Sequence, residues 1–251
     1  MKALLAAELL KLRSTRATVL LVLATQGLVV LTVATSVPGL LEENPSISLQ
    51  DPDLLAIMVG NGFGAPLILM TLLGVLAFTQ EFRYMTVTST YLGEPRRSRV
   101  LIAKGLSLVI ASAAITVATL AVCLPLSIVL IRKQAGELGV TPQLWQSVAA
   151  GFVAMAAYAL IGVAIGALVT NQIAAIVGVL VYMTAIEQMV IPIWPEGGRW
   201  MLFAAASSFM ESGALFGVEL LSVTVGGLVL LAYTAATLVL AIVVTPRRDV
   251  M

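Results

Sequence analysis

Residues able to carry chemistry are scarce in this 251-residue chain. Histidine is absent and Cys123 is the single cysteine. Together these remove His-dependent hydrolysis, haem ligation by His, His/Cys zinc sites and intrachain disulfides. The one carboxylate inside a long apolar run is Glu187, followed by Gln188. A carboxylate within a membrane span is costly and usually turns towards protein or a water-filled cavity. Glu187 and Gln188 are therefore candidates for a substrate path or outer gate, with Asn61 beside them. The other reading has the span ending early, with Glu187 opening the next loop at the membrane interface. Gln26, Gln80 and Asn61 also suit interhelical hydrogen bonds. No set of these residues forms a catalytic constellation, and Cys123 reads as packing.

The other distinctive feature is a charged island at residues 81–99, containing Arg83, Arg96, Arg97 and Arg99 between two apolar stretches. Read as a helix, it places Phe82, Met85, Ser89 and Leu92 at offsets 0, 3, 7 and 10 on one face, a docking knob that Gly93-Glu94-Pro95 would stop. Thr86-Val-Thr-Ser-Thr90 has mediocre helix propensity, so the segment needs tertiary contacts or a partner. A solvated basic loop that serves topology alone is the other reading. The arginines suit phospholipid headgroups and an acidic partner surface equally.

The elements that must position these residues are membrane spans. Of the chain, 60% is hydrophobic and only 11% charged, which a soluble domain of this length would not tolerate. The pattern predicts an all-α integral membrane protein with six transmembrane helices, at residues 17–37, 60–79, 106–131, 148–169, 173–193 and 221–244. Pro66 and Pro125 fall inside spans and read as shape. Gly162 and Gly166 form a small-xxx-small pair for helix packing. Lys2, Lys11, Arg13, Arg16, the island arginines, Lys104, Arg247 and Arg248 lie on one side. Only Arg132, Lys133 and Arg199 lie on the other. The positive-inside rule then puts both termini in the cytoplasm. The Arg132-Lys133 pair would snorkel from the outer end of a long, tilted third span. The +1 net charge gives no sign of a nucleic-acid partner.

Two segments are neither plain loop nor plain span. Residues 1–16 suit a helix on the cytoplasmic membrane surface, with Leu4, Leu5, Leu9 and Leu12 on one face and basic residues for anionic lipids. Glu8 breaks that face and would pair with Lys11 at i, i+3; the alternative is an ordinary basic flank. Residues 194–220 hold an apolar piece too short to cross. They suit a short re-entrant or interfacial hairpin on the outer side, anchored by Trp194 and Trp200, or a plain loop.

In this combination the chain resembles a bacterial type 2 ABC-transporter permease, the transmembrane subunit of an ABC exporter. Glu8-Leu-Leu-Lys-Leu-Arg-Ser-Thr-Arg16 resembles the family's amphipathic elbow helix. Glu81-x-Arg83-x-x-Thr86 followed by Pro95-Arg96-Arg97 resembles its cytoplasmic coupling helix and loop. The short turn Thr170-Asn171-Gln172 and the outer hairpin complete the likeness across the whole chain.

The resemblance implies a dimer with a second permease copy or homologue in the bacterial inner membrane, each copy resting on a separate ATPase subunit that binds ATP and Mg. It implies that Phe82, Arg83, Met85, Thr86, Ser89, Leu92, Arg96, Arg97, Asn171, Glu8 and Lys11 contact that subunit. It further implies that an apolar or amphipathic substrate leaves through the dimer interface. No Lys follows a Gly in this chain, so the phosphate-cradling GxxxxGK[S/T] loop is missing, and neither a cofactor nor a catalytic role is expected here. The alternatives are an ATP-independent secondary transporter or channel, for which one intramembrane carboxylate is little, and a membrane enzyme.

Overall fold

The computed structural model describes residues 1–43, 49–86, 96–134, 138–212 and 218–245, together with residues 88, 90, 92 and 136. Ser89, Gly93-Glu94-Pro95 and Arg247-Arg248 lie outside the described residues, as does the side chain of Arg97. Among the described residues the fold is all-helical, with six helices long and apolar enough to cross a membrane.

Helix α1 (Lys2–Ser14) ends where Thr15 turns extended and its hydroxyl donates to the Lys11 carbonyl at 2.6 Å. Helix α2 (Arg16–Glu43) follows at once and carries the first apolar span, Arg16–Thr35. On α1 the expected apolar face is the one turned inward: Leu4, Leu5, Leu9 and Leu12 are half-buried and Leu10 is exposed. Glu8 is the most deeply placed residue on that face.

The second span begins earlier than its sequence pattern indicates. It runs Leu54–Arg83 as two helices, α3 (Leu54–Gly62) and α4 (Gly64–Arg83), offset at Phe63. Gly60-Asn61-Gly62 looks like punctuation by composition, yet both glycines are places of close approach. A Cβ on Gly60 would lie 2.7 Å from the Met210 carbonyl, and one on Gly62 would lie 2.5 Å from Cys123 Sγ. Pro66 sits in the first turn of α4, where a missing N–H costs little. Pro125 is carried inside the continuous helix α5 (Arg97–Lys133).

Helix α5 has 37 residues, about 55 Å of helix against a hydrocarbon layer of about 30 Å, and Arg132 and Lys133 occupy its exposed last turn. Helix α6 (Pro142–Leu168) is the most enclosed of the long helices together with α4, which crosses it at small residues. A Cβ on Gly74 would lie 2.8 Å from the Val163 nitrogen, and one on Gly166 would lie 2.9 Å from the Val75 carbonyl. The Gly162/Gly166 pair thus packs helices as expected.

The fifth span, Gln172–Ile193, is α7 (Gln172–Val181), a π-helical turn at Tyr182–Ile186 and α8 (Glu187–Ile193). Two short helices follow, α9 (Pro195–Gly198) and α10 (Leu202–Phe209), and then the sixth span, α11 (Val223–Val244). Helix α10 is buried along most of its length, and Gly226 and Gly227 of α11 let it approach closely.

Candidate functional site

Four charged side chains meet where α1, the last turns of α4 and the first turns of α5 converge. Lys104 Nζ donates to Glu8 Oε2 at 2.7 Å, to Glu81 Oε1 at 2.7 Å and to the Ala77 carbonyl at 3.0 Å. That uses all three ammonium protons. Lys11 Nζ donates to Glu8 Oε1 and Glu81 Oε1, both at 2.7 Å. Two cations and two anions alternate in a closed ring. Its inner members are almost dry, with the Lys104 side chain 2% exposed and that of Glu8 4%, while Lys11 faces outward at 47%.

The sequence explains this placement only in retrospect. Glu8 interrupts an apolar face because its partner waits in the third span. By sequence Lys104 is one more cation on the basic side; in the fold it is the centre of the ring. The Glu8–Lys11 pair is legible at i, i+3, but the convergence of Glu81 and Lys104 needs tertiary structure. Burial pulls the Lys11 ammonium down, and the two carboxylates outweigh it, so its pKa is raised above the ordinary 10.5. A raised pKa means that Lys11 contributes in full below that range, and the contribution is lost only as pH climbs through the raised value.

The neighbouring loop departs from the expected single helix. Phe82 belongs to the last turn of α4 and stacks on Phe78 with ring centroids 5.7 Å apart. Met85 adopts φ 56°, a left-handed step that ends α4's direction, so Phe82 and Leu92 do not lie on one helix face. Beyond the step, Thr88, Thr90 and Leu92 are helical, and the Thr90 N–H donates to the Thr86 carbonyl at 3.1 Å. Met85 and Leu92 stand 82% and 80% exposed.

Arg83 lies over the Tyr84 ring and donates weakly to Gln172 Oε1 at 3.4 Å, which ties this loop to the turn before α7. In that turn Asn171 is an exposed N-cap whose Oδ1 accepts from the Ala174 N–H at 3.1 Å. Arg96 is exposed beside the start of α5. A cavity of about 470 Å³ opens next to the ring, lined by Lys11, Thr15, Gln80, Glu81, Tyr84 and Thr86 among others.

No protein-family model matches this chain, and no curated protein matches it significantly. Its chemistry therefore rests on the geometry alone. Among the described residues, no three His, Cys, Asp or Glu side chains converge as a metal site would require.

The other candidates sit at the opposite end of the bundle. Glu187 is inside the fifth span and 0% exposed. Its Oε1 accepts from the Phe203 N–H at 3.4 Å, in the first turn of α10, and the Tyr182 hydroxyl faces the same carboxylate. The carboxylate thus holds the positive end of a short buried helix, where orphan N–H groups need an acceptor. Its Oε2 has no hydrogen-bond partner among the described residues. Gln188 is half-buried and donates weakly to the Met183 carbonyl at 3.5 Å, across the π turn. Asn61 borders a separate cavity of about 250 Å³ with Gly60, Phe203 and Ser212. Neither Glu187 nor Gln188 lines that cavity, although Phe203, whose N–H reaches Glu187, does.

Replacing Lys104 by Met leaves two buried carboxylates facing one half-exposed ammonium. Loss of a partner from a buried pair costs about 3–5 kcal/mol. Thermal unfolding of the purified variant in detergent should show a clear fall, whereas the double variant Glu8→Gln with Lys104→Met should recover part of it. At the other end, Glu187→Gln keeps an acceptor for α10 and should melt close to the parent. Glu187→Ala removes the cap and should cost about 1 kcal/mol or more, measured in the same way.

Proposed function

We propose that this chain is the membrane-spanning permease subunit of an ATP-driven exporter. In this reading it forms a dimer with a second permease copy or homologue, and a separate ATPase subunit binds beneath the end that carries α1. The observation that carries the proposal is the Glu8–Lys104–Glu81–Lys11 ring. It fastens a surface helix, the exit of the second span and the start of the third into one unit, next to a loop that presents exposed Met85 and Leu92. A push delivered to that loop would then move two spans and α1 together. This is what coupling to an external motor requires, whereas a protein without a soluble partner has little use for exposed apolar side chains on a basic loop.

In this reading α1 acts as the elbow helix and the segment from Thr86 to Leu92 as the coupling element. The ATPase subunit contacts Met85, Thr86, Leu92, Arg83, Arg96 and the Asn171 turn from below, and ATP and Mg belong to that subunit. Glu8 and Lys11 act indirectly, by holding α1 in place. Cytoplasmic termini in a bacterial inner membrane follow from the charge asymmetry and the resemblance. The cargo is apolar or amphipathic and passes between the two permease copies. An ATP-independent secondary transporter is the competing reading; the buried, half-satisfied Glu187 is the observation in its favour.

Affinity purification from native membranes in mild detergent, with an ATPase assay on the complex, tests the reading. A stoichiometric nucleotide-binding subunit with vanadate-sensitive hydrolysis is the expected result, and transport by this chain alone in liposomes would contradict it. The double variant Met85→Asp with Leu92→Asp should retain the parental melting temperature. It should lose roughly tenfold or more of the copurifying ATPase, because each apolar anchor is worth about 1 kcal/mol or more.

A further inference from the structure

A second cavity, of about 310 Å³, lies inside the membrane-spanning part of the molecule between α6, α7 and α11. Its walls are stripes of residues spaced along helix axes. Ile161 and Ile165 come from α6 and Val169 from the extended residue just past its end, the face from Ala174 to Met183 from α7 and the π turn, and Tyr233 and Thr237 from α11. Residues four apart lie one above the other on a helix, so the cavity is a slot parallel to the spans. Ala174 to Met183 is nine residues, or about 13 Å of rise, close to half of a hydrocarbon layer of about 30 Å.

The walls offer little to a polar occupant. The Thr71 hydroxyl donates to the Leu67 carbonyl at 3.0 Å and the Thr237 hydroxyl to the Tyr233 carbonyl at 2.9 Å, each within its own helix. The Tyr182 hydroxyl faces buried Glu187. Leu202 of α10 closes one end of the slot. Along its side the slot opens past exposed Ala174 and Gly178, and the neighbouring surface of α7 is apolar, with Ile173 and Val177 exposed. A Cβ on Gly178 would meet nothing within 4 Å. Apolar cavities of this kind exclude water, and lipid tails are as apolar as Leu.

We infer that this slot is a binding site for one acyl chain of a phospholipid from the surrounding bilayer, held lengthwise between α7 and α11. The chain inserts laterally past Gly178, with its methyl end against Leu202 and its headgroup towards the α1 end. The inference holds whether or not the protein is an exporter, because it rests on the slot's length, its lateral opening and its wall chemistry.

The test reconstitutes the full chain in phosphatidylethanolamine–phosphatidylglycerol vesicles doped with a phosphatidylcholine that bears a diazirine midway along one acyl chain. Irradiation, proteolysis and mass spectrometry then map the adducts. Adducts should concentrate on the 161–183 and 233–237 stripes relative to the exposed face of α2 around Leu20 and Leu23. Gly178→Phe, which fills the slot, should cut the slot adducts about tenfold, equivalent to about 1.4 kcal/mol. Ala174→Phe should narrow it in the same way. Gly27→Phe is the control: its Cβ also meets open space, on α2 away from the slot, and slot labelling should not change. Equal labelling of the slot and the α2 face, or labelling indifferent to Gly178→Phe, would overturn the assignment. So would a ready disulfide between copies carrying Gly178→Cys under mild oxidation, which would make the slot a protein interface; the native Cys123 is buried.

Discussion

Lys104 is the constraint on which one end of this molecule depends. An ammonium that is 2% exposed is tolerable only if every proton finds an acceptor, and here two carboxylates and one carbonyl supply them. Meeting that demand fixes the axial and rotational position of three helices at once. Glu8 must face inward, which sets the roll of α1 on the bundle. Glu81 must remain in the last turns of α4, which sets where the second span stops. The ring adds no net charge, so it brings polar groups to the edge of an apolar bundle without leaving a buried net charge.

The opposite end depends on the same physics applied to backbone rather than side chains. Helix α10 is short and buried, and a short helix leaves most of its terminal N–H and C=O groups without internal partners. Glu187 supplies an acceptor to its first turn, and the Tyr158 hydroxyl ties the same turn to α6 by donating to the Leu202 carbonyl at 3.1 Å. Gly226 and Gly227 then let α11 come close enough to enclose the helix. The two polar assemblies bracket a middle layer in which α4 and α6 meet through glycine contacts and apolar side chains. Packing there is tight enough that added atoms would displace backbone.

Much of this was legible in sequence, and the remainder follows a pattern. The first, fifth and sixth spans emerge within two residues of their expected limits because apolar runs bounded by charge, proline or Thr-Asn-Gln leave few alternatives, whereas the fourth opens six residues early, at Pro142. The second span begins earlier because Gly60-Asn61-Gly62 carries the composition of a turn while serving as a contact with Met210 and Cys123. The knob face Phe82–Met85–Ser89–Leu92 assumed unbroken helical periodicity, and the left-handed step at Met85 removes that assumption. Such a step at a non-glycine residue leaves no mark in hydrophobic spacing. Glu187 stood out as an intramembrane carboxylate, and what it holds is a helix end, invisible until α10 is placed. Lys104 looked ordinary because its partners lie 96 and 23 residues away.

The most direct measurement of the central claim, that the charge ring fixes α1 to the rest of the fold, is a distance across it under charge exchange. Cys123 is buried, so cysteines placed at exposed Ala7 on α1 and Leu106 on α5 can be spin-labelled and their separation read by pulsed dipolar spectroscopy. One narrow distance is expected in the parent, a broad distribution after Glu8→Lys or Lys104→Glu alone, and a return towards the narrow distance when all four ring charges are reversed together (Glu8→Lys, Lys11→Glu, Glu81→Lys and Lys104→Glu), which restores the alternation. A narrow, unchanged distance in both single reversals would show that α1 is held by apolar contacts and that the ring is incidental.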